Sequence, residues 1–226
     1  LKARSLKRAY GQRRHDLRIG RQPNYVDPGR TELNRTLLEP RPLPKIKKEI
    51  ELLRRLNGAE RAMKSDAAVI TAGIATFGHK AAELFAQLSD EGQDAAFLEL
   101  VNEVAKRLGT RAEAMVVHLD ETSPHAHFEL RAYNDGGMPV SKVATYKVMS
   151  ELQDMTAEIL ARHCPGIERG HKKYDRIEAG ADYAETLNRS VKQLHQDLPA
   201  EIDAQEAALR ELEEQQAKLS ASMDKT

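Results

Sequence analysis

His118-Leu119-Asp120-Glu121-Thr122-Ser123-Pro124-His125-Ala126-His127 holds three of the chain's eight histidines, with a carboxylate pair among them. Side chains alternate across a strand, so His125 and His127 share a face if a strand runs on through Phe128 to Ala132. Upstream, Ala114 to Leu119 reads as a second, buried strand, and Asp120 to Pro124 is short enough to turn one back on the other. A hairpin of this kind brings His118 beside His125 and His127. Three neutral imidazoles on one sheet face can hold a divalent cation and still leave coordination positions open, as a catalytic metal requires. Imidazole ligation favours a transition metal, since hard cations prefer oxygen donors.

Outward from the hairpin, Ala67 to Thr76 is small, β-branched and apolar and predicts a buried strand. Lys45 to Met63 carries apolar residues at helical spacing, weakening at Asn57-Gly58. Lys80 to Leu88 and Glu91 to Leu108 read as two helices, with Ser89, Asp90 and Gln93 as a cap between them and Gly109 closing the second. Asn134-Asp135-Gly136-Gly137 predicts a turn into a short edge strand at Met138 to Val140. Thr145 to His163 predicts another helix, with Lys142 and Lys147 at its entry. The fold class expected is α+β, a central antiparallel sheet with helices packed on it.

The chain has 226 residues with 35 basic and 35 acidic side chains, but the charge is uneven. Residues 1–48 hold fourteen Lys or Arg against four Asp or Glu, the signature of a phosphate-backbone partner. Lys2 to Arg21 is a basic arm in which surrounding arginines keep His15 neutral, as a nucleophile or base must be; a partly disordered arm carrying an incidental histidine is the alternative. Pro23 to Arg30 reads as an ordered loop and Arg169 to Tyr174 as a basic loop. A lone Cys164 excludes an internal disulfide framework, and the longest apolar run is too short to span a bilayer. Both fit a cytoplasmic protein. Beginning at Leu1, the chain reads as a piece of something longer.

Val191, Leu198, Gln205, Leu212 and Leu219 alternate with His195, Ile202, Leu209, Gln216 and Met223 at heptad spacing, so residues 186–226 are expected to form a helical, coiled-coil extension capable of self-association. Residues 1–185 then form the main domain.

The hairpin resembles the H-x-D-E-x-x-P-H-x-H signature of the Pre/Mob plasmid-mobilisation relaxases, within the HUH class of single-strand endonucleases. Gly11 to Arg18 resembles that family's early motif ending H-x-x-R, and Asn24, Asp27-Pro28, Arg30 and Leu33-Asn34 resemble its N-x-D-P-x-R-x-x-L-N stretch. Ser141-Lys142 and Glu168-Arg169-Gly170 fit as well. The resemblance covers roughly residues 6–185. It implies that His118, His125 and His127 bind the metal, Mn²⁺ first, with Mg²⁺ or another transition metal as alternatives. It also implies that His15 attacks the scissile phosphodiester at a plasmid transfer origin, that the protein is left on the 5′ end, and that Glu121 is the base. Asp120 is expected behind a ligand imidazole, with loop capping as its alternative. Arg13, Arg14, Arg18 and Arg30, with Lys142 and Lys147, are the expected phosphate contacts.

Most HUH enzymes use tyrosine, so Tyr10, Tyr25, Tyr146 and Tyr174 are rival nucleophiles. A strand precedes the early motif in that family, whereas here almost no sequence lies upstream of Leu6. Two other functions stay open: a rolling-circle initiator or transposase-like nuclease with the same site, and a non-catalytic DNA-binding autorepressor with a structural metal. H-E-x-x-H metalloprotease spacing is absent.

Overall fold

A computed structural model of the chain describes residues 1–183, 200, 202–213 and 215–216. It divides into two compact units, Leu1–Gly170 and His171–Thr226. The first is built on a five-stranded sheet of β1 (Lys2–Ser5), β2 (Arg35–Leu38), β3 (Ala68–Thr76), β4 (Ala112–His118) and β5 (His125–Arg131). Their spatial order is β1-β3-β5-β4-β2, and every neighbouring pair is antiparallel. The helices are α1 (Leu6–Asp16), α2 (Leu43–Leu56), α3 (His79–Phe85), α4 (Asp90–Arg107), α5 (Val140–Val143) and α6 (Tyr146–His163). The second unit contains α7 (Lys173–Glu178).

Alternation along β5 and, past a bulge between Ala112 and Ala114, along β4 splits the sheet into two unlike faces. Met115, Val117, Ala126, Phe128 and Leu130 pack with Phe97, Leu100 and Val104 of α4 and Leu152 and Ile159 of α6 in one apolar cluster. Gly73 belongs to this face: it pairs with Phe128, and a Cβ on it would fall 2.2 Å from the Phe128 ring. Only glycine lets the ring lie across β3 at that point. The opposite face presents His118, His125, His127, Glu129 and Arg131, roofed by α1 and α2 through ion pairs and a smaller cluster of Ala9, Leu43, Ile46, Ile50, Val69 and Ala132.

Several expectations need correction. The basic arm is ordered: Lys2–Ser5 form β1 on the edge of β3, and Leu6–Asp16 are helical. The strand ahead of the early histidine motif is therefore present, four residues long. The edge strand at Met138 to Val140 shrinks to a single bridge between Tyr133 and Pro139, because proline lacks the ladder donor and Val140 already opens α5. Ser89 caps α4 by accepting from the Gly92 amide, but Gln93 bonds the carbonyls of Phe85 and Leu88 instead of closing a capping box. The basic loop at 169–174 runs into α7. Of the heptad positions, Ile202, Gln205, Leu209, Leu212 and Gln216 are helical and exposed; Val191, His195, Leu198, Leu219 and Met223 lie outside the described residues. Among the described residues, no helix is long and apolar enough to cross a membrane.

Candidate metal and strand-transfer site

The hairpin forms as its sequence predicts. His118 pairs with His125, and Val116 with His127, so directly opposed residues put all three imidazoles on one face. Their ring centroids lie 4.8 to 5.2 Å apart. α1 delivers a fourth imidazole from above: His15 stands 5.7 Å from His118 and 5.3 Å from His127, ring centre to ring centre. Two overlapping groups have ligand atoms all within 4.8 Å of one another, His15 with His118 and His127, and His118 with Glu121 and His125.

Hydrogen bonds behind His118 and His125, and a polar contact behind His127, set which nitrogen each offers. His118 Nε2–H donates to the Asp16 carbonyl at 2.8 Å, and His125 Nδ1–H to the Ser123 carbonyl at 2.8 Å. His127 Nδ1 lies 3.2 Å from Asp16 Oδ1. These contacts leave His118 Nδ1, His125 Nε2 and His127 Nε2 facing the cluster, an arrangement typical of metal-ligating histidine. His118 Nδ1 is buried and has no hydrogen-bond partner, a costly vacancy for a polar atom unless a cation fills its lone pair.

Burial, followed by neighbouring imidazoles, pulls His127 down to about 2, and burial pulls His118 down to about 4 against its bond to Asp16. Both are therefore neutral, as ligation demands. The residues present fit a divalent transition cation.

His15 differs from these three. Its ring has no hydrogen-bond acceptor among the described residues; the nearest carboxylate oxygen is Glu121 Oε1, 3.9 Å from Nε2. Its side chain is 26% exposed, against 0% for His118. Burial and then Arg18 lower its proton affinity, so the expectation of a neutral imidazole holds, with burial as the larger cause. Glu121 Oε1 sits between His118 Nδ1 at 3.7 Å and His125 Nε2 at 3.9 Å. Arg18 Nη2 grips the same oxygen at 2.7 Å. Tyr10, Tyr25 and Tyr146 make no ring contact with the histidine cluster, and Tyr10, Tyr25, Tyr146 and Tyr174 are all at least half exposed.

Asp120 caps a loop, and among the described residues its carboxylate has no hydrogen bond to an imidazole. Its carboxylate takes a forked pair of bonds from Arg18 at 2.6 and 2.8 Å, and further bonds from Thr31 and Asn34. Burial opposes its ionisation, but these donors overcome it and hold the carboxyl well below the usual range. Asn34 also accepts from the Leu119 amide, and the Asp27 amide donates to the Asp120 carbonyl. The 27–34 loop is thus fastened to the hairpin turn.

The expected phosphate contacts divide by position. Arg14 and Arg30 stand exposed, the first next to His15 and the second in the turn tied to Asp120. Arg18 is spent on Asp120 and Glu121. Arg13 is spent too, forked onto Glu129 at 2.7 and 3.0 Å and bonded to the Arg41 carbonyl. Lys142 and Lys147 lie at the other end of the sheet: Val140 bonds back to Ala132, five residues and roughly 16 Å along the strand from His127. The residue that sequence reasoning missed is Asp16. It stands beside His15 in the quoted motif, but only tertiary contact shows that it backs two ligands.

A five-stranded antiparallel sheet with helices packed on it is the fold of a plasmid relaxase domain. Residues 2–185 match the family model described as plasmid recombination enzyme, Mob/Pre, and the chain belongs to that family. A plasmid recombination enzyme of Bacillus is 26% identical over 176 residues, a match covering 76% of this chain and 42% of that protein, so the chain spans less than half of its relative. The relaxase domain of MobM, bound to plasmid pMV158 oriT DNA with manganese, superposes with a TM-score of 0.66 at 19% identity, over 87% of this chain and 95% of that one. A second MobM complex, with a 23-nucleotide oriT strand, gives 0.65 at 20% identity over 88% and 95%.

Proposed function

We propose that this chain is a relaxase: it nicks one DNA strand at a plasmid transfer origin and stays joined to the 5′ end through His15, for conjugative mobilisation. The observation that carries this reading is the inequality of four clustered imidazoles. Three have their outer nitrogen committed to an acceptor and offer the inner one to a cation; the fourth, on α1, is uncommitted. His118, His125 and His127 would hold a divalent metal, with Mn²⁺ favoured by imidazole chemistry and by its presence in the MobM complexes. When bound, the cation supplies Lewis-acid polarisation of the scissile phosphate oxygens.

The chain's own groups do the rest. The unprotonated ring nitrogen of His15 attacks phosphorus, the N–P bond forms as the P–O3′ bond breaks, and the 3′ oxygen leaves as an alkoxide that takes its proton from water. Glu121 Oε1 accepts the proton from His15 Nε2, leaving a phosphoramidate on the 5′ end. Arg18 holds Glu121 in place for this. The phosphoramidate stays reactive enough for the strand to be rejoined. Arg14 and Arg30 hold flanking phosphates. We assign this activity to residues 1–185, within the cytoplasm where plasmid DNA lies.

The test is a labelled origin-strand oligonucleotide incubated with protein and Mn²⁺, followed by mass spectrometry of the adduct. A DNA-linked peptide containing His15 is expected. Adduct on a tyrosine, or binding without cleavage, overturns the reading.

A further inference from the structure

Asp16 makes one hydrogen bond and one close polar contact whose joint effect goes beyond support for one histidine. Its carbonyl accepts from His118 Nε2–H and its carboxylate faces His127 Nδ1, so one residue sets the inner nitrogens of ligands from both β4 and β5. It is 6% exposed and is itself steadied by Gln12 Nε2, 2.8 Å from Oδ1, one turn back on α1. Its neighbour in the chain is His15, and Arg13, one turn before Asp16, locks α1 to Glu129, two residues beyond His127 on β5. Asp16 belongs to neither group of candidate ligands.

We propose that Asp16 is a positioning residue that makes metal binding and nucleophile placement a single rigid unit. Its carboxylate fixes the His127 tautomer and strengthens that imidazole as a donor, and its main chain does the same for His118. Because both contacts originate from the residue after His15, α1 can dock correctly only where the ligand pair is correctly turned. This inference deepens the relaxase reading, but it concerns the metal trio and can be tested without DNA.

The experiment titrates metal-free full chain with MnCl₂, by calorimetry and by loss of the free Mn²⁺ EPR signal, in wild type, Asp16→Ala and Asp16→Asn. Thermal unfolding checks that each variant is folded. Mn²⁺ affinity should fall about 10- to 100-fold in Asp16→Ala. Asp16→Asn should lose less, since its amide oxygen still accepts from His127 Nδ1–H without the charge. Long-range ¹H–¹⁵N spectra of the metal-free protein should show His127 as the Nδ1–H tautomer in wild type and shifted toward Nε2–H in Asp16→Ala, a change that general loosening would not produce.

Unchanged affinity or an unchanged tautomer in folded Asp16→Ala overturns the proposal. If that variant does not fold, Asp16→Asn decides it, and wild-type affinity there overturns it equally. A wild type that binds Mn²⁺ but cuts no DNA would sink the relaxase reading while leaving this one standing.

Discussion

Residues 129 and 130 are neighbours on one strand, yet they belong to different chemistries. Leu130 points into the apolar layer under α4 and α6, where contacts depend on shape and volume and not on a charged or hydrogen-bonding partner. Glu129 points the other way, into a layer of imidazoles and ion pairs under α1 and α2, where each group has a specific partner. One face holds the protein together and the other is arranged to act. Because strand periodicity is two, the same register serves both, and a slip by one residue would exchange them.

The sharpest way to break this division is to remove an acting group and watch stability. His15→Ala should abolish strand transfer, with a loss of at least about a thousandfold, while the midpoint of thermal unfolding stays near wild type. His118→Ala should do the same to cleavage and to Mn²⁺ binding together, and chelation of the metal should mimic it. Should either variant unfold the protein, the site face would be structural after all.

The neighbours themselves offer the next test. Leu130→Ala should cost about 2–5 kcal/mol through the cavity it leaves, and Glu129→Ala about 3–5 kcal/mol by stranding the Arg13 charge. The two losses look alike until the partner changes too. Replacing both Arg13 and Glu129 with apolar residues of similar volume should restore most of the stability, read by denaturant unfolding, without restoring nicking, because the fork that sets the height of α1 above the sheet is gone. Recovered nicking would show that the pair matters only for stability. Gly73→Ala is a smaller test on the holding face. The Phe128 ring must move, at a cost of about 1–3 kcal/mol, with Mn²⁺ affinity unchanged.

The holding face and the clustering of the histidine trio were legible because both follow local rules. Alternation along Ala114 to His118 and His125 to Ala132, with a six-residue turn between, leaves few other arrangements. What escaped the sequence depends on partners distant in the chain. Lys2–Ser5 has no apolar alternation of its own and becomes a strand because the edge of β3 offers it a ladder. Asp16 looks like an ordinary helix-end acid until β4 and β5 lie beneath it, where burial pushes its carboxyl up to about 7 despite the Gln12 bond. Arg13 and Arg18 read as phosphate-seeking because composition cannot tell a guanidinium that meets DNA from one that meets Glu129 or Asp120.

The smallest expected effects separate those two kinds of cation. Arg14 and Arg30 are exposed beside the site, so each change to Ala should weaken origin binding across sequences and lower the slope of log affinity against log salt by about 1. Lys142 and Lys147 lie at the far end of the sheet, beyond Ala132, and cannot reach a phosphate held at His127. Substituting them should leave the single-turnover nicking rate on a short strand ending near the scissile bond unchanged. On a longer strand they can alter only affinity, with the same unit change in salt slope. If Lys142→Ala slows cleavage of the short strand, the DNA must run the length of the sheet, and the boundary between acting and holding regions lies elsewhere than the histidine end.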